Sequence, residues 1–291
     1  MEASTVSTPS SKLLSISWYF FFIGFAIGNW ISRLADIREH NHLSYTMLGS
    51  LLVLAAIGAL ISLPIVSELS KRYGSAKCLL IGGLWLCLSI PPLGITNVGL
   101  PVLYPAMFSV GMAMGFSDVS MTAQAIMLEK ERHINYMGSC QACQSLGGFI
   151  GVIVGGTMAA LGVSTFLDFL LISVSSLPIA LCTYPFLYNN DHEQMVEAQK
   201  GGDTEEAADA VSGGSVGDEV TSQEALLSEE AKLERWHVLV YLTVMGFCAQ
   251  IGEGTISDWS TLYFRDDLGV TSGVVTVSGF AAFSLMMAVG R

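Results

Sequence analysis

Charge is scarce in this 291-residue sequence: Asp, Glu, Lys and Arg together make up 13% of it. Bases are scarcer still, thirteen in all, and nowhere do they cluster as a nucleic-acid footprint requires, so no nucleic-acid partner is expected. Catalytic signatures are missing too. There is no Gly-x-Ser-x-Gly, no His-Glu-x-x-His and no Gly-rich phosphate loop ending in Lys. The five histidines (His40, His42, His133, His192, His237) fall in loops or at the ends of apolar runs, which argues against an intramembrane enzyme. Six cysteines lie in or beside apolar runs and read as buried thiols, not as a disulfide framework. Cys140 and Cys143 form a Cys-x-x-Cys with no second pair, so neither a metal nor a redox cofactor is expected. The first twelve residues are Ser/Thr-rich and lack a small-residue cleavage site, which reads as a cytoplasmic tail and not a signal peptide.

What the sequence has is apolar runs, at 52% hydrophobic residues overall. A helix needs roughly 20 apolar residues to cross the hydrocarbon core. Six runs meet that need between Leu13 and Tyr188: 13–34, 43–69, 78–96, 100–128, 138–161 and 163–188. A seventh covers 236–257 and an eighth 273–290. The predicted fold class is therefore all-α, a polytopic helical membrane protein embedded in a lipid bilayer. Its parts are a tail (1–12), a six-helix lobe (13–188), a linker (189–235) and the start of a second lobe (236–291). The linker holds thirteen Asp/Glu against three Lys/Arg and no long apolar run, so it is expected to be disordered and solvated. It also supplies nearly all of the net charge of −12.

Loop charges orient the spans. Lys71, Arg72 and Lys77 follow span two and Lys130 and Arg132 follow span four, whereas the loops after spans three and five carry no base. The tail and the linker should then be cytoplasmic. The chain ends inside span eight, and the simplest expectation is a protein truncated at its C-terminus.

The ends of spans one and seven repeat each other. Gly28-Asn-Trp-Ile-Ser-Arg33 and Glu253-Gly-Thr-Ile-Ser-Asp-Trp259 to Arg265 each place a Trp and then an Arg before a short polar loop. Repeated halves with polar positions in equivalent helices point to a transporter whose site lies between lobes. The plainer alternative is interfacial anchoring by Trp and Arg.

Carboxylates inside spans are costly and so mark function by default. Asp118 sits well within span four, and Gly111, Gly115, Asp118 and Thr122 share one helical face, as a cavity wall would. Burial favours the protonated form of such an acid, which suits reversible protonation. A structural carboxylate bonded to a neighbouring helix is the alternative. Asn29 and Trp30 in span one, Gln141 and Gln144 in span five, and Gln250, Glu253 and Trp259 in span seven could complete a polar pathway for a solute and a proton. For each of these alone, helix packing serves equally well. Asp36, Glu39, Asp258, Asp266 and Asp267 lie near loops and read as solvated. Asp168 could be either. Gly147, Gly151 and Gly155 repeat every four residues, which reads as a close-packing helix face.

These residues resemble the major facilitator superfamily, whose members carry two six-helix lobes joined by a long central loop. Phe21-Phe-Ile-Gly-Phe-Ala-Ile-Gly and Leu43-Ser-Tyr resemble the fucose permease-like sugar:proton symporters. Lys71-Arg72-Tyr-Gly74 resembles a variant of the signature loop between spans two and three. The runs Glu253-Gly to Asp258-Trp-Ser and Gly290-Arg291 resemble the bacterial inner-membrane YbjJ-type branch. The likeness covers residues 14–188 and 236–291. It implies a secondary active transporter of a small polar solute, with a sugar as one candidate and the proton as coupling ion. On this likeness Asp118 matches the acid of the sugar symporters, and the solute site lies between spans one, four, five and seven. The sequence departs from the pattern at Lys71, where the superfamily's signature loop usually has Asp, at Ile31, where the fucose permease has a second acid, and at Thr122, where the symporters have Asn. An uncoupled facilitator, an exporter or a transporter-like receptor remains open.

Overall fold

The structure is a computed structural model. It describes the backbone of residues 9–188, 220–270 and 272–291, with side chains over 11–188, 236–270 and 272–291. The N-terminal residues 1–8 and most of the acidic linker lie outside the described residues.

Ten α-helices are formed among the described residues, and no strand. In order they are α1 (Pro9–Ser32), α2 (Leu34–His40), α3 (Tyr45–Tyr73), α4 (Ser75–Ser89), α5 (Leu100–Arg132), α6 (Met137–Ala160), α7 (Thr165–Thr183), α8 (Val220–Leu262), α9 (Gly273–Thr276) and α10 (Ser278–Gly290). Short 3₁₀ turns, Pro91–Gly94 and Tyr184–Phe186, extend α4 and α7, each with Pro where its missing N–H costs nothing. Seven of the described helical segments are long and apolar enough to cross a membrane.

The spans fall where apolar length puts them, and three differences have local causes. The first is α8, which starts at Val220, inside the stretch expected to be disordered linker. Its opening residues, Gln223-Glu-Ala-Leu-Leu and Glu229-Glu-Ala-Lys-Leu-Glu, are strong helix formers, and the propensity of that run outweighs its acidity. The second is the seventh span, which continues past 257 to Leu262 and through a π turn at Tyr263–Asp267. The third is the eighth apolar run, which divides at Val277 into a single turn and the 13-residue α10. Val274, Val275 and Val277 crowd that break with β-branched side chains of low helix propensity.

Two compact units emerge, residues 1–193 with 257–291, and residues 194–256. The second consists, as described, of the first part of α8, where the side chains from Trp236 to Gln250 are exposed. In the first unit α1 lies along α6, while α5 is held between α3 and α4, and α10 packs on α6. Lipid tails are as apolar as Leu, so helix association there depends on close backbone approach and polar contacts. Glycine supplies the approach. A side chain at Gly147 would strike the Phe21 carbonyl, one at Gly151 the Phe25 carbonyl, and one at Gly155 the Ser32 hydroxyl. From the other side, Gly24 and Gly28 lie against the carbonyls of Gln144 and Gly148. The every-fourth glycine face of span five is thus a packing seam.

Several of the polar contacts sit at the helix ends. Ser44 and Ser164 cap α3 and α7 through their hydroxyls, accepting from the Met47 and Leu167 amides. Glu129 Oε1 accepts from the amides of Tyr136 (2.8 Å) and Met137 (2.7 Å), fixing the turn from α5 to α6. Gln124, fully buried, donates to Ser75 Oγ at 2.6 Å and accepts from the Tyr188 amide at 2.8 Å, so it ties the start of α4 and the end of α7 to α5.

Candidate functional site

The face of α5 around Asp118 divides in two. Gly111 and Gly115 pack on α3, against Ala55 in one case and Ala59 and Ser62 in the other, so that part is a helix interface and not a cavity wall. One turn on, Asp118 is exposed and Thr122 half-buried. Among the described residues Asp118 has no hydrogen-bond or ion-pair partner. Gln141 and Gln144 are half-buried on α6. No hydrogen bond joins the side chains of Asp118, Thr122, Gln141 and Gln144 to one another among the described residues. Gln250 is exposed and Glu253 half-buried, both in the second unit. Trp259 is also exposed.

Span one behaves differently from the expectation of a cavity wall. Trp30 is buried inside the lobe and lines a small apolar void with Leu34, Leu48 and Leu103. Asn29 is buried, donates to Asp168 Oδ1 at 3.3 Å, and keeps its own Oδ1 without a partner among the described residues. In the signature loop, Lys71 and Arg72 are exposed and Arg72 pairs with Glu68 one turn back at 2.9 Å. Gly74, buried, takes φ 86° at the join of α3 and α4, where a residue with a side chain would be strained.

The densest polar group lies elsewhere, at the end of the bundle that carries α2. Arg33 has a side chain only 2% exposed, yet each of its three nitrogens finds an acceptor. Its Nε donates to Asp168 Oδ2 at 2.8 Å, its Nη1 to Asp36 Oδ2 at 2.8 Å, and its Nη2 to the Val163 carbonyl. Asp168 is 1% exposed, so the pair is buried and mutually neutralising, the condition under which a charge survives in a low-dielectric interior. Around it, Arg265 pairs with both Asp36 and Glu39, and Arg38 pairs with Asp266. The Tyr45 hydroxyl donates to Asp266 at 3.0 Å, and the Arg38 guanidinium lies 4.1 Å above the Tyr45 ring.

Asp36, Glu39 and Asp266 are therefore ion-paired, not simply solvated as their loop positions suggest. Asp168 resolves as a buried partner of Arg33. Asp258 lies within the continued seventh span, half-buried, because that helix outruns its expected end. The network borders an open cleft of about 720 Å³ whose wall includes Ser32, Asp36, Ala159, Thr261, Arg265 and Thr276. Thr261 is buried there, and its hydroxyl has no partner among the described residues. Sequence reasoning singled out Arg33 and Arg265 as repeat-related anchors but not as a network. The signal available was their spacing to acids three residues on in one case and across the chain in the other, and only the second half of that needs a fold.

Apolar spans, glycine-seamed helix pairs and charges paired inside the bundle define an integral multi-pass membrane protein. The chain belongs to the Major Facilitator Superfamily, whose sequence profile matches residues 14–291. Among curated relatives, it is 28% identical over 270 residues to the uncharacterised transporter y4wD of Sinorhizobium fredii, covering 92% of this chain and 63% of that protein. It is 29% identical over 161 residues to an uncharacterised MFS-type transporter of Yersinia pestis, covering 55% of this chain and 41% of that protein. It is 24% identical over 293 residues to the membrane protein MosC of Rhizobium meliloti, covering 98% and 62%. The chain thus spans less than two thirds of the length of each of these relatives.

Proposed function

We propose that this protein acts in secondary active transport of a small polar solute, with the proton as coupling ion and Asp118 as the group that carries it. The proposed mechanism is alternating access, in which two lobes rock about a site near the membrane midplane. The observation that carries the reading is an unpartnered carboxylate in the middle of a membrane-spanning helix of a superfamily transporter. A carboxylate tied to a neighbouring helix would be structural. Asp118 has no such tie among the described residues, which leaves its carboxyl free to bind a proton or a solute. Thr122, one turn on, and Gln141 and Gln144 supply hydroxyl and amide groups suited to a polyol, so a sugar is the solute to test first. The Lys/Arg asymmetry of the loops supports a cytoplasmic signature loop, with α2 on the opposite face.

The test is solute accumulation in proteoliposomes under an imposed pH gradient, with counterflow measured on the same vesicles. Asp118→Asn keeps the size and hydrogen bonding of the protonated acid and cannot release a proton. It should abolish accumulation and leave counterflow within about threefold of the parent, a change of less than about 1 kcal/mol. Accumulation undiminished in this variant would put the coupling proton on another group, whereas counterflow without accumulation in the parent would favour an uncoupled facilitator or exporter.

A further inference from the structure

The two repeat-related arginines meet on one carboxylate. Asp36 Oδ2 accepts from Arg33 at 2.8 Å, and Asp36 Oδ1 accepts from Arg265. Arg33 belongs to the end of span one and is locked onto Asp168 of span six. Arg265 belongs to the π turn that ends span seven. Asp36 is thus the link between a buried pair inside the first lobe and a cation at the start of the second. The surrounding pairs are reciprocal. The short helix α2 presents Asp36, Arg38 and Glu39, and the π turn answers with Arg265 and Asp266 in opposite signs.

We propose that Asp36 is a positioning residue for transport: it couples the charge state of the buried Arg33–Asp168 pair to the closure of the cleft at the α2 end of the bundle. This rests on the transporter reading above but not on Asp118 or on the identity of the solute. The sign follows from Coulomb's law. With Asp168 ionised, Arg33 is neutralised on its far side and Asp36 is shared evenly between two arginines. With Asp168 neutral, Arg33 draws Asp36 towards itself and repels Arg265 with an uncompensated charge. The Arg265 contact then weakens and the cleft opens. The groups facing Asp168 are Arg33 and Asn29 from α1 and, a step away, Asp36 from α2. Among the described residues no other charged side chain reaches it. Arg265, with 35% of its side chain exposed, is the part of the chain of contacts that can let go first.

The experiment uses Thr261→Cys, on the buried wall of the cleft, in a background free of the six native cysteines. A membrane-impermeant maleimide is added on the α2 side of sealed vesicles, with no solute present. The parent should label slowly. Asp36→Asn should label about tenfold faster, Arg265→Gln, which also loses the Glu39 contact, at least as fast, and the two combined no faster than Arg265→Gln alone. Asp36→Glu should return the rate to within about threefold of the parent. Because lower pH removes thiolate, labelling is read relative to an exposed control cysteine; on that scale lowering the pH should speed labelling of the parent and lose that effect in Asp168→Asn. Unchanged labelling in Arg265→Gln, or additive effects of the two substitutions, overturns the proposal. Arg265→Gln changes only a partly exposed side chain, so it decides the matter even where Asp36→Asn fails to fold. Because labelling needs no transport, failure of the Asp118 reading and failure of this one are told apart.

Discussion

Arg33 shows how a charge is tolerated in the interior of a membrane protein: every donor direction used here ends on an acceptor, two of them carboxylates. Removing one side of such a pair strands the other. Arg33→Met should therefore cost about 3–5 kcal/mol, read as a lower Tm of the detergent-solubilised protein. The double replacement Arg33→Met with Asp168→Leu should recover much of that loss, since a buried pair exchanged for packed apolar groups is close to neutral. If the double variant is no more stable than Arg33→Met alone, the cost lies in the Asp36 or Val163 contacts and not in the stranded carboxylate. Gln124 makes the neutral counterpart of the argument. Its amide serves two helix ends at once, and the sequence gives no hint of it beyond a polar residue in an apolar run.

At the scale of the helix, glycine divides into two kinds that look alike in sequence. Gly151 has the Phe25 carbonyl where a side chain would go, whereas Gly49 has open space. Gly151→Leu should lower stability by at least about 1–3 kcal/mol through forced separation of α1 from α6. Gly49→Ala should raise it by up to roughly 0.5–1 kcal/mol, because it removes only backbone freedom. Thermal melts of the two variants side by side check both signs. The every-fourth spacing of Gly147, Gly151 and Gly155 made the first kind readable, since period four is the period of a helix face. Apolar length likewise placed α1, α3, α5, α6 and α7 within a few residues of their bounds. What was not readable had a common cause. Asp36, Glu39, Asp168 and Asp266 take their meaning from partners as many as 229 positions away, and a spacing rule sees only neighbours. The Gly111–Asp118 face failed for a related reason: helical periodicity says which residues share a side, but not which of them a neighbouring helix covers.

For the whole molecule the proposed orientation sets which parts should face which compartment. Lys71 and Asn97 are both exposed and lie at opposite ends of α4 with its 3₁₀ extension. With a cytoplasmic signature loop, Asn97→Cys should react with an impermeant thiol reagent on intact cells and Lys71→Cys should react only after the membrane is opened. The reverse pattern would invert the proposed topology, and reaction at both would break the single crossing of α4. The pairs around α2 add a dependence on ionic strength that the buried pair does not share. Charges about a third exposed are screened over roughly 8–10 Å at 0.1–0.15 M salt. Raising salt should loosen Arg265 and Arg38 while leaving Arg33–Asp168 in place, and Thr261→Cys labelling in a salt series should rise smoothly with no loss of Tm.

The separation of 135 positions from Arg33 to Asp168 also sets a timetable for biosynthesis. A ribosome adding about 5–20 residues per second needs on the order of ten seconds to deliver the partner. Throughout that interval the first helix sits in the bilayer with Asp36 as the one carboxylate at hand for its guanidinium, the Asn29 amide unanswered, and its glycine-marked side open to lipid. A long basic side chain at a helix end can reach the headgroups and wait there. The last step in assembling the first lobe is then the withdrawal of Arg33 from the interface as the sixth span arrives. A nascent chain released before Asp168 emerges lacks the buried carboxylate that holds Arg33 inside the lobe.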